Sequence, residues 1–105
     1  MDNVFDIEPK HLAIVQDILR TYLAGYEVWA FGSRVKGTAR QFSDLDLVVM
    51  SEEPLSLRLF AEVSEAFSES DLPYKVDVID WATTSESFRE IIAQKYVVIS
   101  ENKNK

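Results

Sequence analysis

The run Asp44-Leu45-Asp46-Leu47-Val48-Val49-Met50 constrains this 105-residue chain more than any other stretch. From Leu45 to Met50 it is apolar and β-branched, which predicts a buried strand, yet two aspartates stand at its head. Side chains two positions apart on a strand share a face, so Asp44 and Asp46 project together about 6–7 Å apart. Side by side without a cation they repel, and one of them stays protonated. A divalent metal between them removes that cost. The plain alternative is that the pair flanks the solvated end of the strand.

The rest of the composition narrows what such a metal would be. The chain has no cysteine and a single histidine, His11, so disulfides, thiolate nucleophiles and Cys- or His-rich zinc sites are excluded and any metal is held by oxygen. Mg²⁺ suits that donor set, because it takes oxygen ligands and keeps positions open for water and substrate phosphates. Asp77 adds a third carboxylate. It lies in Lys75-Val76-Asp77-Val78-Ile79-Asp80-Trp81, where Val76, Val78 and Ile79 belong in a core, so Asp77 is expected to be buried and either neutralised or turned toward the same cation from an adjacent strand. Asp80, three positions on, faces the other way and reads as a cap.

Length and composition, with 47% hydrophobic and 28% charged residues, predict one folded domain over residues 1–105 with a loose tail at about 101–105. No apolar run approaches the roughly 18 residues of a membrane span, and the start MDNVFDIEPK lacks the features of a signal peptide, so a cytoplasmic location is expected. The net charge of −7 repels phosphate backbones and argues against direct nucleic-acid binding. It favours a basic protein partner, although such a surface also serves solubility alone.

Along the chain, Leu12, Val15, Ile18, Leu19, Tyr22 and Leu23 form one helical stripe between Pro9 and Gly25. Glu27–Phe31 predicts a short strand and Leu45–Met50 a second, joined by a polar, glycine-bearing connection. Pro54 is expected to open a helix that carries Leu59, Phe60, Val63 and Phe67 to about Ser68. A third strand follows in residues 75–81. A capping box of Thr83 with Glu86 then starts a last helix bearing Phe88, Ile91 and Ile92, and residues 96–100 offer a closing strand. The order is αββαβα with a final β.

Gly32 and Ser33 stand where the first strand stops. Glycine tolerates positive φ and lets backbone approach a ligand, so the N–H groups after it can cradle an anion, with the Ser33 hydroxyl as a further donor. A Gly-Ser pair alone is equally ordinary turn punctuation. Taken together, GSRVKGTARQFSDLDL resembles the Gly-Ser, ten residues, Asp-x-Asp signature of the DNA polymerase beta nucleotidyltransferase superfamily. In its short length the chain is similar to the minimal nucleotidyltransferases (MNT) of that superfamily, from roughly Leu12 to Ser100. The resemblance implies an α+β fold, a small mixed β-sheet flanked by helices. It implies that Gly32, Ser33 and Arg34 hold nucleotide phosphates, that Asp44 and Asp46 bind catalytic Mg²⁺, two ions in all, and that Asp77 is the third carboxylate, which assists the attacking group. Val35 and Lys36 depart from the frequent Ala-Arg of the family.

MNT proteins typically pair with a HEPN-domain partner in toxin–antitoxin modules. The resemblance therefore implies an antitoxin that transfers AMP from ATP to a tyrosine of a HEPN ribonuclease, in a hetero-oligomer with it. A noncatalytic module that silences its partner by docking alone is the other reading. Outside the motif, His11 is expected to be solvated and without a role. Trp29, Phe31, Tyr74 and Trp81 are expected chiefly in the core, with adenine stacking the alternative. Lys36 and Arg40 either bind phosphate or solvate their loop.

Overall fold

The structure, a computed structural model, describes residues 5–101, so nearly all of the expected tail, residues 102–105, lies outside the described residues. Helix α1 spans Pro9–Tyr22, with proline in its first turn, where its missing N–H costs nothing, and Val15 and Leu19 on its buried stripe. Strand β1 is Val28–Phe31, α2 is the single turn Ser33–Lys36, and β2 is Leu45–Val49. Helix α3 covers Leu57–Ser68 and β3 Val76–Asp80. A 3-10 turn at Trp81–Thr83, helix α4 at Glu86–Gln94 and strand β4 at Val97–Ser100 complete the order.

Two helix starts differ from expectation, for one shared reason. Asp80 is 3% exposed, and its carboxylate accepts the Leu55 N–H at 2.9 Å and the Thr83 hydroxyl. The first bond holds Pro54 and Leu55 outside the helix, so α3 begins only after Ser56, whose hydroxyl accepts the Leu59 N–H. The second engages the Thr83 side chain, so the expected capping box does not form. Ser85 caps α4 instead, accepting from Phe88 N–H at 3.2 Å. The connection after β1 also differs from a plain loop, since it opens with α2.

The sheet runs β3-β2-β1-β4, with β1 antiparallel to both neighbours and β2 parallel to β3. The parallel pair requires a crossover, which α3 supplies. Alternation then sorts the two faces. Val28, Ala30, Leu45, Leu47, Val49, Val78 and Ile99 face α1 and α3 and join Val15, Leu19, Val63 and Phe67 in the core. The opposite face carries Trp29, Phe31, Asp46, Val48, Asp77 and Ile79. Helix α4 meets it through Phe88, edge-on to Phe31 at 5.8 Å, and Tyr96 stacks on Trp29 at 3.8 Å. Trp29, Phe31, Tyr74 and Trp81 are thus half-buried, not central: only Tyr74 packs against the main core, while the other three line the second face.

Candidate active site

Strand pairing sets the site. Phe31 of β1 lies opposite Asp46 of β2, and Asp46 opposite Asp77 of β3, so one row crosses three strands on the α4 side of the sheet. Asp44 comes one residue before β2 and is exposed, as is Asp77; Asp46 alone of the three is partly buried. The expectation of a buried Asp77 is therefore corrected. β3 is an edge strand, and water meets the Asp77 carboxylate there. The electrostatic strain sits on Asp46, whose pKa is pushed up to about 6, first by burial, then by the nearby charges of Asp77 and Asp44.

Among the described residues no group of three acidic or histidine side chains is gathered closely enough to hold a metal ion. The donor chemistry nevertheless fits a hard cation. The three groups are carboxylates, and their mutual repulsion at Asp46 is the kind a divalent ion relieves.

Gly32 closes the row from the β1 end. Its φ of +85° and ψ of −157° lie where residues with a Cβ rarely go. A Cβ there would also overlap the Asp46 carboxylate, 3.2 Å from its Cγ. Backbone and carboxylate pack so closely that only glycine serves at position 32. The chain then turns into α2, where the Val35 and Lys36 N–H groups bond to the Gly32 carbonyl at 3.1 Å. The Ser33 and Arg34 N–H groups, as the first of the helix, have no intrahelical acceptor.

The Arg34 guanidinium is engaged by the chain's own backbone. Arg34 is 4% exposed, and its guanidinium donates to the carbonyls of Asp6, Gln41 and Ser43 while lying 3.9 Å over the Tyr74 ring. His11 is half-buried and edge-on to the same ring at 5.5 Å, so it is a packed side chain, not a solvated one.

A cleft of about 200 Å³ opens beside the row, lined by Phe31, Gly32, Lys36 and Asp46 from the sheet side and by Phe88, Ile92 and Lys95 from the α4 side. Lys36 was one of the two loop cations with a possible phosphate role; Arg40 lies apart, at a cavity beside Arg34 and Tyr74. Lys95 was missed, because nothing in its local sequence says that α4 folds over the end of β1.

The profile described as polymerase beta, nucleotidyltransferase, matches residues 14–105. This chain belongs to the polymerase beta nucleotidyltransferase family. A relative in that family, the probable protein adenylyltransferase MntA of Haemophilus influenzae, is 60% identical over 96 residues, covering 91% of this chain and 84% of its own. Among solved structures, a toxin–antitoxin with AMP-PNP superposes with a TM-score of 0.73 at 20% identity, over 88% of this chain and 74% of that one. The complex of a tri-AMPylated Shewanella oneidensis HEPN toxin with its MNT antitoxin gives 0.67 at 16% identity, over 90% and 73%. At such identities the two structures speak for the fold. It is the nucleotidyltransferase fold that the Gly-Ser and Asp-x-Asp spacing implied, a mixed sheet with helices about it.

Proposed function

We propose that this nucleotidyltransferase, a single domain over its 105 residues, is a protein adenylyltransferase of the cytoplasm. It acts as the antitoxin of a HEPN-domain ribonuclease, binds that partner in a hetero-oligomer, and transfers AMP from ATP to one of its tyrosines. The observation that carries the reading is the close-packed Gly32 backbone and Asp46 in a cleft holding Lys36 and Lys95, with Asp77 in register beside Asp46 on the next strand. The protein adenylyltransferase named in Haemophilus influenzae, at 60% identity, supports it.

In this reading the tyrosine oxygen attacks the α-phosphorus of ATP, the bond from that phosphorus to the α,β-bridging oxygen breaks, and pyrophosphate leaves. Gly32 and Ser33 receive the phosphates, and the Lys36 and Lys95 ammonium groups balance their charge. Exposed Asp77 takes the phenolic proton, as its access to water and to an incoming side chain allows. Asp44, Asp46 and Asp77 would hold Mg²⁺, probe of choice for an all-oxygen site, and the ion would neutralise triphosphate and carboxylates together.

The test is incubation with Mg²⁺, ATP and the HEPN protein encoded beside this chain. The partner is expected to gain mass in whole AMP units and to lose ribonuclease activity. Asp46→Asn should cut the rate by about 10²-fold or more while leaving the complex intact. Full silencing with no gain in mass would establish docking alone as the mechanism.

A further inference from the structure

We propose that Arg34 is a positioning residue that locks the loop between α2 and β2 and so delivers Asp44 to the carboxylate row, and that its guanidinium does not contact nucleotide phosphate. The inference rests on the adenylyltransferase reading above. Its basis is where the guanidinium donors go. Nε and Nη2 converge on the Ser43 carbonyl at 3.0 and 2.8 Å, and Nη2 also reaches the Gln41 carbonyl at 3.1 Å. Nη1 donates to the Asp6 carbonyl at 2.9 Å, and the Asp6 N–H returns a bond of 2.7 Å to the carbonyl of Arg34. The Ser43 carbonyl belongs to the peptide that leads into Asp44, so fixing that plane fixes where the Asp44 side chain starts.

The peptide that leaves Asp44 is held by β3, through the Leu45 N–H to the Lys75 carbonyl at 2.9 Å, while the ties within the loop itself are local. Thr38 N–H bonds to the Ser33 carbonyl at 3.2 Å, and the Arg40 N–H to the Ser43 hydroxyl at 2.8 Å. Arg34 is the group that joins the far end of the loop to α2 and to the chain before α1. Arg34 is buried, and its guanidinium makes four hydrogen bonds to backbone carbonyls and lies over the Tyr74 face. Turning the fork toward a phosphate would break the bonds that tie Ser43, Gln41 and Asp6 to it. Lysine cannot replace it, because a single ammonium on a flexible stem lacks the rigid fork that reaches three separate carbonyls.

The experiment compares Arg34→Lys and Arg34→Gln with the unaltered protein in three measurements: amide hydrogen exchange of residues 38–45, the Mg²⁺ dependence of AMP transfer, and KM for ATP at saturating Mg²⁺. Both variants are expected to exchange the loop amides about tenfold faster or more. Both should need about 10–100-fold more Mg²⁺ for half-maximal rate, as when a group orienting a metal ligand is lost. KM for ATP should stay within about threefold. Should the glutamine variant fail to fold, the lysine variant, which keeps the charge, decides. A raised KM for ATP with unchanged Mg²⁺ dependence would overturn the proposal in favour of phosphate binding. A lowered melting temperature with unchanged Mg²⁺ dependence and loop exchange would reduce Arg34 to packing and overturn it too. An unaltered protein that transfers no AMP sinks the adenylyltransferase reading and this inference together, whereas an active one with variants equal to it sinks the role of Arg34 alone.

Discussion

Asp46 and Asp80 lie on neighbouring strands, the first partly buried and the second buried, and the fold shifts them in opposite directions. At Asp46 burial raises the pKa and the Asp77 and Asp44 charges add to it, reaching about 6. At Asp80 burial also raises it, but hydrogen bonds from the Thr83 hydroxyl, the Leu55 N–H and nearby backbone outweigh burial, and the net shift is downward. The signs follow by linkage. Because the folded pKa of Asp46 exceeds its ordinary 3.8, the folded state binds the proton more tightly, and this stability, complete below about 3.8, is lost as pH rises through about 6. Asp80 contributes stability above its ordinary value and loses it as pH falls below that. From 3.8 to about 6 is roughly 3 kcal/mol unscreened, and about 1–2 kcal/mol once the partial exposure of Asp46 is allowed for. In EDTA, Asp46→Asn is therefore expected to melt close to the unaltered protein near pH 4 and roughly 5–10 °C above it at pH 7. Thermal scans across that range check it; a difference independent of pH would mean that Asp46 carries no such strain.

At the scale of elements, α4 is what turns a row of carboxylates on an open sheet into a cleft. It is anchored at its start by the Ser85 cap and tethered by Arg89, whose Nε and Nη2 donate to the Trp81 carbonyl at 3.0 and 2.7 Å. Ser85→Ala is expected to cost about 1 kcal/mol, the usual loss of an N-cap. Glu86→Gln should stay within about 0.5 kcal/mol, because no capping box uses it. Since Phe88, Ile92 and Lys95 line the cleft from this helix, Ser85→Ala should also raise KM for ATP before it lowers the maximal rate. Chemical denaturation and steady-state kinetics on the two variants separate the observed cap from the Thr83–Glu86 pair that the spacing alone suggests.

Over the whole molecule, a net charge of −7 sets how partners arrive. For a basic HEPN partner, long-range attraction speeds the encounter, and salt screens it once the Debye length falls to about 10 Å near 0.1 M. The association rate is expected to drop about tenfold or more between low and high salt, with the dissociation rate changing far less. Stopped-flow mixing over a salt series measures both. A flat association rate would leave the charge a matter of solubility.

Local pattern carried the elements and most of the motif. Helical stripes and strand alternation are enforced by backbone geometry within a few residues, so α1, β1, β2, α3, β3 and β4 were legible to within three residues of their observed ends, and α4 to within three residues of its start. The ten-residue gap between Gly32-Ser33 and Asp44-Leu45-Asp46 was legible because turn and strand head are joined by one loop. Partnership at a distance was not. That Asp77 sits in register with Asp46 depends on the α3 crossover and the parallel pairing it allows, and that Asp77 is exposed depends on β3 being an edge. The Thr83 hydroxyl was drawn to Asp80, a competitor no capping pattern records. The backbone contacts of Arg34 were hidden for a simpler reason. Its partners are backbone carbonyls, which every residue carries, so no side-chain motif marks them, and only the folded path of residues 41–43 and Asp6 around the guanidinium decides what it binds.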